Sequence, residues 1–496
     1  MVKITWPNFF KVFAPLLSIV FRPIPVEAQV RYIRQPEYLT AIAHGRIALK
    51  TMRETADIPG LAVAVGIGNT IVWSEGFGYA DVEKGIRATP ETQFRIASVS
   101  KLLAAAVVGK MHEQGRVDID ADVRKYVPEW PDKCDKITIR QLAGHLGGIR
   151  EYRPTDFTVK NIDGKRYKNA KEALSIFADD TLVAPPGTKH NYTSLGYTLM
   201  EAALEGASGE SYIRYMKKHI LDPLRMTSTL PNHPDSTIAR LTTLYTRDSK
   251  GHNKTIRNMK PTYKFAGGGY VSTAEDLARF GMAHLRPGLF KASTLELLFQ
   301  TQYLNTGEPT SVGIGWVNDR DPWGRRIVFH NGNQPGARPV LIVYPDHDMV
   351  IAITSNVTGI PEWVEGAAMC IADSFLRLTA GEKPLPVPDS IGTFDVVMKK
   401  DEADAFSGSM TLLNPAETPE NGYRGWMDAL PGSNLSVWPI ADVIAWPTET
   451  VALAATPKGL FPMRWQKNAD GSSSGFFTFF GEHRPETLPV YLTKME

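Results

Sequence analysis

At 496 residues with 43% hydrophobic content, the chain can bury one large core and a smaller companion domain. Its 55 Lys and Arg against 53 Asp and Glu leave a net charge of +2 and no basic tract, which argues against nucleic acid as a partner. The 11 histidines form neither H-E-x-x-H nor a Cys/His cluster of zinc spacing, so no metal and no other cofactor is expected.

The chain opens MVKITWPNFFKVFAPLLSIVFRPIPVEAQ, with Lys3 and Lys11 ahead of an apolar segment from Val12 to Phe21 and a small-x-Ala site at Val26-Glu27-Ala28. This is the pattern of an export signal over residues 1–28, and it implies a secreted or periplasmic mature protein. The alternative is an uncleaved anchor. Against it, the apolar run is about half of the roughly 20 residues a span needs, and Pro15 and Arg22 interrupt or bound it, so no stable span is expected after cleavage. In an exported chain Cys134 and Cys370 could pair or stay as independent thiols, and both readings stand.

Leu61 to Ile67 and Thr70 to Ser74 are β-branched runs joined by Gly68-Asn69, the chemistry of a two-residue hairpin turn. A helix is predicted from about Ser98 to Gln114, ended by Gly115. Residues from about Ile137 to Leu285 read as mostly helical, including Thr193 to Ala207 and STAEDLARFGMAHL, which starts with Ser272-x-x-Glu275 or Thr273-x-x-Asp276 as a cap. Strands return in RIVFHNG, PVLIVYP and MVIAITSN, the last two flanking a turn at Asp346-His347-Asp348. This order predicts an α+β domain over residues 29–380, an antiparallel sheet covered by helices in which both ends of the domain meet in one sheet. Residues 381–388 hold alternating prolines, a stiff connector, and 389–496 read as a small all-β domain, sheet or barrel, of unknown role. A stiff connector could hold that domain as a cap over the cleft, limiting substrate size.

The chemistry concentrates in FRIASVSKLLAAAVVGKMHEQG, Phe94 to Gly115. Residues three apart share a helix face, so Ser98 faces Lys101 while Ser100 points elsewhere. A serine hydroxyl needs a base within hydrogen-bond reach, and a lysine serves only when burial lowers its pKa. The apolar run Leu102 to Val108 offers that dry setting, and the helix start offers N–H groups for a developing oxyanion. A lone Ser-x-x-Lys is usually a solvated helix face, so the companions decide. They are Tyr192-Thr193-Ser194, at a helix start after Pro186-Gly187, and His330-Asn331-Gly332, at the end of a strand.

With those three motifs in that order, the chain resembles the serine β-lactamase-like hydrolases: class C β-lactamases, penicillin-binding-protein-like carboxypeptidases, D-aminopeptidases and β-lactamase-fold esterases. HLGGIREY and AGGGYVSTAEDLARFG look closest to the branch of mitochondrial β-lactamase-like serine proteases. The resemblance, from about Ile58 to Asn356, implies a β-lactamase/transpeptidase-like fold and roles for the motif residues. By it, Ser98 attacks a carbonyl, Lys101 takes its proton, Tyr192 relays the proton to the leaving group, and Ser194 holds Lys101 or the substrate amide. His330 and Gly332 line the substrate side, and the N–H groups of Ser98 and Asn333 form the oxyanion hole.

The chain departs from the family pattern at three places. Asn333 stands where relatives often have Gly or Ser, Gly147 replaces a serine beside His145, and Ser194 replaces the asparagine on which β-lactam turnover leans. His330, in place of a lysine, removes a charge that would grip a carboxylate. The expectation is therefore an esterase or peptidase acting on a small ester or peptide, ahead of a β-lactamase; the alternative is a non-catalytic binding or assembly protein on the same fold. GSSSG at Gly471 to Gly475 imitates a nucleophile elbow but lacks the strand before and the helix after, so a hairpin turn explains it.

Overall fold

The computed structural model describes residues 32–495 apart from 133–135, 159–161, 163–164, 260, 360–363, 386–391, 401–402, 414–423, 429–436, 457–458, 471 and 481–484. The export pattern, Cys134 and the prolines at 386 and 388 lie outside the described residues.

Seven strands build the central sheet: β1 (Ile33–Arg34), β2 (Gly60–Ile67), β3 (Thr70–Asp81), β4 (Val317–Arg320), β5 (Arg326–Asn331), β6 (Val340–Tyr344) and β7 (Met349–Ser355). An eighth, Ile86–Arg87, pairs with β3 off the main path. The order is β1-β3-β2-β7-β6-β5-β4, and its pairs are antiparallel. Gly68 takes φ +61 in the β2–β3 turn, where a side chain would be strained. The expected closure is found between β2 and β7, with Val63 opposite Ile353.

Because successive strand residues face opposite sides, each sheet face has its own core. Leu61, Val63, Val65, Ile351 and Ile353 face one, while Val350 and Ala352 face the other. The helices divide accordingly among α1 (Leu39–Thr55), α2 (Ser100–Glu113), α3 (Ser194–Ser208), α4 (Ala274–Met282) and α5 (Val364–Thr379). Helices α1 and α5 cover the first face, and α2, α3 and α4 belong to the second. The cap of α4 is Thr273, whose hydroxyl accepts the Asp276 N–H.

The segment read as mostly helical also contains strands. Leu244–Arg247 pairs with Asn253–Ile256, and Tyr270–Ser272 lies between Phe94–Arg95 and Leu230–Pro231. Pieces of two to four residues are too short for alternation to show in the sequence.

The C-terminal part closes into an eight-stranded antiparallel barrel, β8 (Gly392–Lys400), β9 (Ala403–Leu412), β10 (Gly425–Asp428), β11 (Val437–Ala445), β12 (Thr450–Thr456), β13 (Gly459–Lys467), β14 (Ser473–Phe480) and β15 (Pro485–Lys494). Each strand pairs with the next, and β8 pairs with β15. Val396, Met398, Met410, Met427, Met463 and Val490 are fully buried, as expected of a barrel whose interior is just wide enough for side chains. Of the GSSSG segment, Ser473 to Gly475 lie in β14, with Lys467 opposite Ser473 in a β13–β14 hairpin, so it is no elbow; Gly471 lies outside the described residues.

The barrel does not cap the cleft. It packs on α1 and α5, the helices covering the opposite face of the sheet from α2 and α3. On β5 the Asn331 side chain reaches Glu365 of α5, whereas its neighbour His330 points to the other side. The connector's stiffness carried no information about which face the barrel would find.

Candidate active site

Ser98 sits in a single 3-10 turn, Ala97–Val99, immediately before α2, rather than in the helix itself. The strand Phe94–Arg95, held by Tyr270–Ser272, delivers the chain to this turn, and the Ile96 N–H donates to the Tyr270 carbonyl at 3.0 Å. Ala97 takes φ +42, a left-handed conformation that costs a non-glycine residue on the order of 1–3 kcal/mol. The end of β5 packs against this turn because Gly332 has no side chain. A Cβ there would lie 2.7 Å from Pro339 Cγ, 2.9 Å from Ala97 Cβ and 3.0 Å from the Ile96 oxygen.

Three motif side chains meet at one oxygen. Tyr192 donates its hydroxyl to Ser98 Oγ at 2.8 Å, and Lys101 Nζ lies 3.1 Å from the same atom. Lys101 also donates to Ser194 Oγ at 3.2 Å and to the Gly267 carbonyl at 2.8 Å. Its side chain is 0% exposed, and it lies over the rings of Tyr192 and Tyr197 at 4.8 and 5.2 Å. Burial lowers its pKa from 10.5 to about 7, opposed by the charge of Glu151. A substantial fraction of the amine is therefore neutral near pH 7.

Tyr192 is 42% exposed as a residue, yet its hydroxyl lies in the site against Ser98, and burial there raises its pKa while the hydrogen bond to Ser98 opposes. It stays a protonated phenol. Ser100, the other serine, is fully buried and its Oγ accepts the Tyr270 N–H, so it is turned away from Lys101.

Ser194 is the first residue of α3, placed there by its neighbour Thr193, whose hydroxyl caps the helix by accepting the Gly196 N–H. The Thr193 N–H donates to His145 Nδ1 at 3.1 Å, and the His145 ring lies 4.3 Å from that of Tyr192. His145 has φ +61, and burial, then Lys101, push its pKa well down, so it acts as a neutral prop for Tyr192.

His330 is buried, with burial and then Lys101 lowering its pKa to about 3. It is an uncharged neighbour of Tyr192, ring to ring 6.3 Å. The Gly332 N–H is already taken by the Pro339 carbonyl, whereas the N–H groups of Ser98 and Asn333 have no partner among the described residues.

Two acids escaped the sequence reading. Glu201 on α3 is 2% exposed and accepts the Ala266 N–H at 2.7 Å, which fixes the short helix Phe265–Gly268 whose Gly267 carbonyl holds Lys101. A carboxylate inside the apolar run Leu199 to Leu204 was the signal that could have found it. Glu151 accepts the Ser194 N–H and faces Lys101, with no sequence signal to mark it.

The sequence profile described as Beta-lactamase matches residues 48–369. The chain is 28% identical to the mitochondrial serine beta-lactamase-like protein LACTB of Bos taurus, over 64% of this chain and 74% of that protein. It is 29% identical to the Homo sapiens LACTB, over 62% and 73%. Among solved structures it is similar to a D-stereospecific amidohydrolase from Streptomyces sp., with TM-score 0.56, 23% identity and coverage of 64% of this chain and 94% of that one. It is also similar to the octameric penicillin-binding protein homologue from Pyrococcus abyssi, with TM-score 0.58, 20% identity and coverage of 90% and 99%.

Proposed function

The chain belongs to the β-lactamase family, the match spanning residues 48–369, and from that premise we propose that it hydrolyses an ester or amide through an acyl-enzyme on Ser98, as an esterase or peptidase rather than a β-lactamase. The observation that carries this reading is Ser98 Oγ held between Lys101 Nζ at 3.1 Å and the Tyr192 hydroxyl at 2.8 Å.

The neutral Lys101 amine accepts the Ser98 proton as Oγ bonds to the carbonyl carbon, and the N–H groups of Ser98 and Asn333 receive the negative oxygen. Tyr192, kept protonated, gives its proton to the leaving alcohol or amine, and the Lys101 ammonium restores the phenol. The net change is one proton passed from Ser98 to the leaving group. Water then attacks the ester carbonyl, its proton replaces the one on Ser98, and the acid is released.

Ester or peptide is preferred because the Ser194 position offers a hydroxyl engaged with Lys101 and no side-chain amide. The export pattern of residues 1–28 supports a secreted or periplasmic location, which N-terminal sequencing of the mature protein tests. The activity is tested by turnover of 4-nitrophenyl hexanoate. Ser98→Ala is expected to reduce it to background while Ser100→Ala keeps it, and an unchanged rate in Ser98→Ala would end this reading.

A further inference from the structure

Beside the Ser98 turn lies a pocket of about 730 Å³ whose lining, among the described residues, includes Arg95, Lys165, Arg166, Arg257 and Lys264 and no Asp or Glu. We propose that this pocket seats an anionic group of the substrate, a carboxylate or a phosphate, with Arg95 and Lys264 as its main partners. The proposal rests on the acyl-enzyme reading for its link to turnover, but the pocket's charge does not depend on it.

The pocket and the reacting centre share the same three segments. Arg95 precedes Ser98 by three residues on the strand that delivers it. Lys264 immediately precedes the helix Phe265–Gly268 that holds Lys101. Pro335 follows Asn333 by two. Lys264 is close enough to Lys101 for the two charges to repel.

The cations divide into answered and unanswered. Arg166 pairs with Asp235 at 2.5 Å and Lys165 lies 3.9 Å from Glu172. Arg95, Arg257 and Lys264 have no carboxylate within 4.0 Å among the described residues. Arg95 is only 3% exposed, and it spends Nη1 on the Pro335 carbonyl at 2.8 Å and Nε on the Gln334 amide oxygen at 2.9 Å. With the Gln334 amide in that orientation, its nitrogen donates to the Gly268 carbonyl at 3.2 Å and leaves the Lys264 ammonium no acceptor there.

Arg95 and Lys264 lie out of water close to one another, and the carboxylate that acts on Lys264, Glu151, is held by the Ser194 N–H; two such cations are costly unless an anion joins them. Burial first, then Arg95 and Lys101, lower Lys264 to a pKa of about 7 against the opposing charge of Glu151, and a bound anion would raise it again. The site's own strand cannot provide the charge, since His330 is neutral. Phe157 and Met259, 46% and 45% exposed, add apolar surface for the chain that carries the anion.

The test compares kcat/KM for 4-nitrophenyl hydrogen adipate, 4-nitrophenyl 5-phosphonopentanoate and neutral 4-nitrophenyl hexanoate. At least one anionic ester should exceed the neutral one by about 10-fold or more, and whichever anion leads identifies the source. Lys264→Met should bring the ratio toward 1, and Lys264→Arg should restore it. A wild-type ratio near 1, or a ratio untouched by Lys264→Met, would overturn the proposal. If no ester is turned over, the acyl-enzyme reading fails by itself, and calorimetric titration of the full chain with adipate and 5-phosphonopentanoate judges the pocket. Binding weakened at least 10-fold by Lys264→Met sustains it; no binding of either anion refutes it.

Discussion

Two pairs of cations held out of water, one pair on each face of the central sheet, are treated in opposite ways. On the α5 face, Arg325 donates to Asp321 at 2.7 Å and to Asp373 at 2.8 Å, while Arg377 donates to Asp373 at 2.9 Å and to Glu449 at the barrel edge. Burial alone would lower both arginines, but Asp373 together with Asp321 at Arg325, and with Glu449 and Glu382 at Arg377, outweighs it and their pKa values rise. On the cleft face Lys101 and Lys264 have hydroxyl, carbonyl or amide neighbours instead of carboxylates in contact, and burial prevails. Burial is common to both. The partner decides whether a buried cation fastens two domains or becomes available to chemistry.

The largest expected effect separates these roles. Lys101→Met should lower kcat for a neutral ester by about 10³–10⁴-fold with stability unchanged or raised, because a lysine desolvated without a carboxylate in contact costs stability that methionine does not. Turnover beside thermal melting checks it. Asp373→Ala should do the reverse, destabilising the fold by about 3 kcal/mol by removing the buried carboxylate that two arginines share, with turnover per folded molecule retained. Denaturant unfolding and active-site titration measure the two parts. If Asp373→Ala abolished turnover in folded protein, the division between faces would be wrong.

Tyr192→Phe removes a proton donor and keeps the ring over Lys101, so a loss of about 10²-fold in kcat is expected. The smallest effect is on pH. Activity requires neutral Lys101, so kcat/KM for a neutral ester should rise through about pH 7 and then level, with the profile repeated in Lys264→Met because Lys264 titrates in the same range. For stability the sign also follows from the lowered pKa. Between about 7 and 10.5 the unfolded chain holds a proton on this lysine that the folded one lacks, so its contribution rises with pH across that window, and Lys101→Met should remove that part of the slope.

Much of this was legible because it is local. Ser98 and Lys101 are three residues apart, the Gly68-Asn69 turn fixes the first hairpin, and Thr193 and Thr273 mark helix starts by their hydroxyls. The barrel was legible as alternating short runs, though its closure was one of two options. What escaped is long-range or backbone-specific. The left-handed Ala97 is set by packing against Gly332, 235 residues later, and no pattern around it announces it. No motif or spacing in the sequence links Arg95 to Lys264, and only the fold brings them to one pocket. His330 marks in the sequence the loss of one charge, but the sequence could not show where other cations would gather.

The most direct test of the central claim, that Ser98 is the nucleophile and neutral Lys101 its base, is intact-mass measurement of fluorophosphonate labelling across pH in the wild type, Ser98→Ala and Ser100→Ala. The account predicts one adduct, absent only in Ser98→Ala, forming faster as pH rises through about 7. An adduct that persists in Ser98→Ala, or labelling that does not depend on pH in that range, would contradict it.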